Sequence, residues 1–178
     1  MTAPRICGID LSLTSTGLAD SEHRTERWRT TRDSPTLDAQ LRRLWAVVDV
    51  VTDFVRMEGG ADLVVIEGPS LGQQRQAGQH ARSGLWWMTV AALDFRAPVL
   101  VVPPATRAMY ATGKGNAGKD EVLAAAIKRY PAWNIAGNDI ADAVILCAIG
   151  ARMWGTPMEE SLPISHLRAL NKFELPST

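Results

Sequence analysis

Apolar runs of four or five residues alternate with longer stretches of helical period along this 178-residue chain. The first run, "RICGID", reads as a buried strand over 5–10 that closes on Asp10. Polar turn residues follow, and a second strand starts at 17–20. Over 25–30, Thr25, Arg27 and Arg29 alternate with Glu26, Trp28 and Thr30. That period of two, polar on both faces apart from Trp28, predicts an edge strand. Leu37, Leu41, Leu44, Val48, Val51 and Val55 recur at spacings of three and four and predict a long helix. Ser34-Pro35 suits its start and Gly59-Gly60 its stop, and Trp45 beside the stripe is expected in the core. "LVVIEGP" is a buried strand cut off by Gly68-Pro69. A polar loop leads into a helix that begins near 76–81 and runs to 93. "APVLVVPP" is a further strand, ended by two prolines that cannot continue a ladder. Residues 105–131 combine a short helical turn, a glycine-rich loop and a helix over about 119–130. "NDIADAVILCAIGARMWG" is the last major helix, and a short one is expected within 165–172. This order predicts an α/β fold, a mixed sheet with helices on both faces.

Composition narrows the picture. At 178 residues, 46% apolar, the chain suits one domain with one core of ordinary size. Nineteen basic and nineteen acidic residues leave no net charge, which argues against coating nucleic acid through bulk charge but not against local basic patches. Cys7 and Cys147 lie among apolar residues and read as buried free thiols, which fits a reducing cytosol. No apolar run approaches the length of a membrane span, and the start reaches charge too early for a signal peptide.

Four carboxylates stand where a packing argument does not want them. Asp10 follows buried strand residues, where it either satisfies the turn "DLSLTST" or faces a cation. Glu67 ends a run of four apolar residues, at the edge where open α/β sheets carry function; it pairs with an arginine or holds an ion. Asp139 and Asp142 are three apart on one helix face. Asn138 is a natural cap and Asp139 suits the first turn, but capping does not explain Asp142. A divalent cation answers all four positions together. Oxygen donors suit Mg²⁺, with Mn²⁺ able to substitute, and several carboxylates can hold two ions about 4 Å apart. His23, His80 and His166 are scattered, which speaks against zinc.

"CGIDLSLTSTGLA", "LVVIEGP", "VVPPATRAMYATGKGNAGKDEV" and "NDIADAVILCAI" resemble, in that order, the motifs of the RuvC-type Holliday-junction resolvases, members of the ribonuclease-H-like superfamily. The resemblance covers residues 5–153 and leaves 154–178 as a tail. It implies a five-stranded sheet of order 3-2-1-4-5 whose first three strands are antiparallel. It implies that Asp10, Glu67, Asp139 and Asp142 are metal ligands at a two-ion centre. It also implies a homodimer that cuts opposed strands of a four-way DNA junction, leaving 5′ phosphates. Lys119 stands at the family's basic residue near the scissile phosphate. Two departures stand out. Leu11-Ser12 replaces the usual proline and glycine after the first Asp, and the segment after Glu67 lacks the family's aromatic wedge, leaving Leu71 as the candidate for a smaller one. Such departures resemble the smaller bacteriophage members, some of which accept branched DNA more loosely.

Residues 103–130 carry five basic side chains against two acidic ones. Arg107, Lys114 and Lys119 are expected to contact DNA phosphates, with Arg75 and Arg82 on the other side of the acidic centre. Lys128 and Arg129 read as a solvated helix end. The glycines of "GKGNAG" suggest a backbone anion nest, with no nucleotide-binding spacing. Tyr110 either stacks on a base or seals that loop. Trp86 and Trp87 must diverge on their helix, one packing on the sheet and the other free to meet a second subunit. Trp133 and Trp154 are expected to pack. The rival functions are an RNA–DNA hybrid nuclease of the same fold and a branched-DNA binding protein without catalysis.

Overall fold

The computed structural model describes residues 3–31, 36–69 and 78–176. Five strands form one sheet: β1 (Ile6–Asp10), β2 (Ser15–Asp20), β3 (Thr25–Arg29), β4 (Leu63–Glu67) and β5 (Val99–Val102), in the order β3-β2-β1-β4-β5. β1, β2 and β3 run antiparallel in succession, while β4 lies parallel to β1 and β5 parallel to β4. The helices are α1 (Leu37–Arg56), α2 (Gln79–Asp94), α3 (Pro104–Thr112), α4 (Lys119–Arg129), α5 (Asn138–Trp154) and the short α6 (Ile164–Leu167). The expected mixed α/β sheet and its strand order are both present. The expected helical turn after β5 is a nine-residue helix, with Pro104 at its first position where the missing N–H is no loss.

Alternation along the strands divides the core in two. Cys7, Ile9, Val64 and Ile66 face α1 and α2, while Ile6, Leu63 and Val65 face α3, α4 and α5. By the same period, Asp10 continues the row of Ile6 and Gly8, and Glu67 the row of Leu63 and Val65. Both carboxylates therefore belong to the face that α5 covers. β1 and β4 pair in parallel with Ile9 opposite Ile66, so Asp10 and Glu67 end neighbouring strands.

Helix α5 is buried from Ile140 to Ala151, and each fully buried Val, Leu or Ile contributes about 1.5–3 kcal/mol. It lies against β1 and β2 at close range because two glycines leave room. A Cβ at Gly8 would stand 2.1 Å from the Ala143 carbonyl oxygen, and one at Gly17 would stand 2.0 Å from that of Asp139. Its cap is Gly137 (φ 121°) rather than the expected Asn138, which is already the first helical residue.

On the other face, α1 departs from its sequence pattern. Val48, Val51 and Val55 are core residues, but Leu37, Leu41 and Trp45 are exposed. Trp45, expected inside, is 53% exposed, because Leu44, Val47 and Val48 beside it occupy the face of α1 that meets the core. The helix is capped by Thr36, whose hydroxyl accepts from the Ala39 N–H; Ser34-Pro35 lies outside the described residues. Cys7 and Cys147 are buried free thiols as expected, and burial pushes the Cys7 thiol up to about 12. Among the described residues no helix is long and apolar enough to cross a membrane.

Gly8→Ala should destabilise far more than Gly150→Ala. The added methyl meets backbone in the first case, whereas at Gly150 it meets the Val65 and Ile6 side chains at 2.5 and 2.7 Å. Denaturant melts should show about 1–3 kcal/mol lost for Gly150→Ala and more than that, or no folding, for Gly8→Ala.

Candidate active site

The four acids expected to act together lie at one edge of the sheet. Asp10 and Glu67 end β1 and β4, and Asp139 and Asp142 face them from the first turns of α5. Asp142 is 5% exposed in a wholly apolar stretch. Asp139 is oriented by β2, since the Ser15 hydroxyl donates to its Oδ2 at 2.5 Å. The Trp86 Nε1–H donates to the Glu67 carbonyl at 2.9 Å and ties the end of β4 to α2. Trp86 thus packs inward while Trp87 is 66% exposed, the divergence expected of adjacent helical positions.

Arg107 is the residue that sequence reasoning placed differently. Instead of lying out among DNA phosphates, its side chain turns into the acidic centre and is almost fully buried. Its Nε donates to Glu67 Oε1 at 2.5 Å, and its Nη1 donates to Asp142 Oδ1. The arginine partner left open for Glu67 is thus present, contributed by α3. Its signal lay in helical spacing: Arg107 shares a face with Tyr110 and Ala111, both in the core.

The charges act on one another. Burial pushes Asp10 well above the usual carboxylate range, Asp142 and Glu67 add to this, and Arg107 opposes it. Burial likewise raises Asp142 to about 6, against the pull of Arg107 and Lys119. Burial works against the charged form of Arg107, but Glu67 and Asp142 outweigh it and hold the guanidinium protonated.

The other expected contacts fall into place unevenly. Lys119 is exposed at the start of α4, near enough for its charge to act on Asp142. Lys114 is exposed and pairs with Glu121 at 3.5 Å. Arg82 lines a cleft of about 200 Å³ together with Leu11, Leu13, Glu67 and Trp86. Arg75 and Leu71 lie outside the described residues. Tyr110 is a correction: it is completely buried, and its hydroxyl donates to Glu159 at 2.9 Å while accepting from Arg152 Nε at 3.0 Å, so no base can stack on it. In the glycine-rich loop the amides of Gly113, Lys114, Ala117 and Gly118 donate to Met109, Thr112, Lys114 and Glu121, which leaves these four unavailable to an anion. Arg129 is also more than a solvated helix end, because it donates to the Tyr110 and Ala111 carbonyls that close α3. Trp133 and Trp154 pack against the core as expected.

Among the described residues, no three acidic, histidine or cysteine side chains converge closely enough to enclose an ion as they stand. The donor set nevertheless fits a hard divalent cation. It is all carboxylate, and burial together with neighbouring carboxylates disfavours the charged forms of Asp10 and Asp142, a cost that an added positive charge relieves.

The sheet order, the helices on both faces and the acids at the ends of β1, β4 and α5 define a ribonuclease-H-like fold. Solved structures make this more specific. Thermus thermophilus RuvC superposes with a TM-score of 0.60 at 18% identity, covering 85% of this chain and 97% of that one. The same protein in complex with a Holliday junction substrate gives 0.58 at 20%, over 86% and 97%. The yeast mitochondrial Holliday junction resolvase gives 0.51 at 11%, over 82% and 76%. The chain therefore has the fold of the RuvC-type resolvases, in a divergent sequence. No protein-family model matches it, and comparison with curated protein sequences finds no match.

Raised carboxyl values make a stability prediction. A carboxyl whose folded value exceeds its unfolded one stabilises most when protonated, and that contribution fades as pH rises through the folded value. In EDTA, the protein should therefore melt higher at pH 5 than at pH 7.5, with Asp142 titrating between 3.8 and about 6. Asp10→Asn should raise Tm at pH 7.5 by about 2–4 °C, the shift that about 1 kcal/mol produces in a chain of this size. The gain should shrink toward about pH 4, where Asp10 would be protonated anyway. A gain independent of pH would contradict the assignment.

Proposed function

We propose that this protein is a metal-dependent endonuclease that cuts branched DNA, four-way junctions above all. The observation that carries this reading is the placement of Asp10, Glu67, Asp139 and Asp142 at one sheet edge, on a fold shared with proteins that resolve Holliday junctions. In this reading Asp10, Glu67 and Asp142 hold Mg²⁺ or Mn²⁺, and Asp139 completes the set. When bound, two such ions supply an activated water and Lewis acidity at a phosphodiester. The chain's own residues do the rest. The rigid ends of β1 and β4 fix two carboxylates, Ser15 orients Asp139, and Lys119 offers a positive charge to the phosphoryl group being transferred. Lys114 and Arg82 hold the backbone without reading bases. The cut leaves a 5′ phosphate and a 3′ hydroxyl.

A four-way junction is two-fold, and paired incision needs two sites, so the enzyme acts as a homodimer. Trp87 on α2, with Leu37, Leu41 and Trp45 on α1, provides exposed apolar surface for such contact.

The test is cleavage of labelled four-way, flap, duplex and RNA–DNA substrates with Mg²⁺, Mn²⁺ or EDTA. Paired symmetric nicks in the junction are expected, abolished by EDTA and reduced on the order of 10²–10³-fold in Glu67→Gln, which keeps the fold. Junction binding with no cut would leave an architectural protein. Preferential cutting of the hybrid would move the substrate to RNA.

A further inference from the structure

Arg107 is delivered to the acidic centre by a fixed helix. Pro104 opens α3, Arg129 and His166 hold its last carbonyls, and Tyr110, one turn beyond Arg107, is locked to Glu159. Arg107 is 9% exposed, and among the described residues the hydrogen bonds of its guanidinium go only to Glu67 and Asp142. A structural ion pair needs one carboxylate. This one takes an oxygen from each of two acids that come from different elements, β4 and α5, and that are the natural ligands of a divalent ion. A guanidinium and a divalent cation on the same two carboxylates repel each other at short range, in a setting with little water to screen them. Each must therefore weaken the binding of the other, and the antagonism is reciprocal.

We propose that Arg107 is the resident cation of this centre: its guanidinium occupies Glu67 and Asp142 and must be displaced before a divalent metal ion can bind there. The inference rests on the metal-dependent reading above. Arg107 is a positioning residue in this scheme. It offsets one negative charge of the acidic cluster and keeps Glu67 and Asp142 closed to stray ions until a cation takes both carboxylates. Its planar fork then suits a new acceptor, because it binds phosphate as readily as carboxylate.

The test uses DNA-free protein titrated with Mn²⁺ by calorimetry, in wild type, Arg107→Gln, Arg107→Lys and Glu67→Gln. Arg107→Gln should bind Mn²⁺ about tenfold more tightly than wild type, within the usual range of coupling between two ligands. It should also gain more in Tm on adding Mn²⁺. Arg107→Lys, a point charge that cannot bridge both acids, should fall between, and Glu67→Gln should lose the site. A purely structural role predicts the opposite sign, since a disordered centre binds metal less well. Equal or weaker binding by Arg107→Gln, with a wild-type site still lost in Glu67→Gln, overturns the proposal and leaves the metal reading standing. No Glu67-dependent binding in wild type or in Arg107→Gln overturns both. If circular dichroism shows Arg107→Gln unfolded, Arg107→Lys decides alone: tighter binding than wild type supports the proposal, and equal or weaker binding overturns it.

Discussion

The close approach of α5 to the sheet is the constraint on which this molecule depends. Helices normally stand off a sheet by the depth of their side chains. Here Gly8 and Gly17 remove that depth at two points, and the carbonyls of Ala143 and Asp139 sit where a methyl group would be. Apolar burial along Ile140 to Ala151 holds the contact shut. One outcome is mechanical, a core that tolerates no added atom. The other is chemical, because the same contact carries Asp139 and Asp142 to the strand ends that bear Asp10 and Glu67.

Such convergence is costly. Buried carboxylates lose hydration and repel one another, and a protein normally avoids both. This one keeps them and supplies a single guanidinium that reaches two of them. The same balance recurs elsewhere. Arg5 is buried on Asp20 and donates to the carbonyls of Phe54, Val55 and Met57, which joins the end of α1 to the sheet. In both places an arginine satisfies several acceptors at once, which a lysine's point charge cannot do as well.

Much of the fold was legible because its periods are clean. The runs ending in Asp10 and Glu67 are too short and too apolar for helices, and the spacing of α5 admits little else. The acids stood out because they interrupt apolar runs. What was not legible were contacts between distant segments. Trp45 lies beside the helical stripe, yet Leu44, Val47 and Val48 take the buried side of α1 and leave it on the outer one. Tyr110 beside a glycine-rich loop looks like surface until Glu159, forty-nine residues later, returns to accept its hydroxyl. The inward turn of Arg107 follows from the same cause. Local charge density treats 103–130 as one basic patch, whereas the helix sorts its residues by face.

The Glu159 network extends this further. Glu159 accepts from Tyr110, Tyr130 and Arg152, and so fastens the chain beyond α5 to α3, to the residue that ends α4 and to α5 itself. Tyr110 lies one turn from Arg107 on the same rigid helix. The depth of the guanidinium is thus registered against a segment that contributes nothing to the carboxylate cluster. The tail acts as a set-screw: small changes in its seating would retune the electrostatics of the centre while leaving the four acids of the cluster where they are.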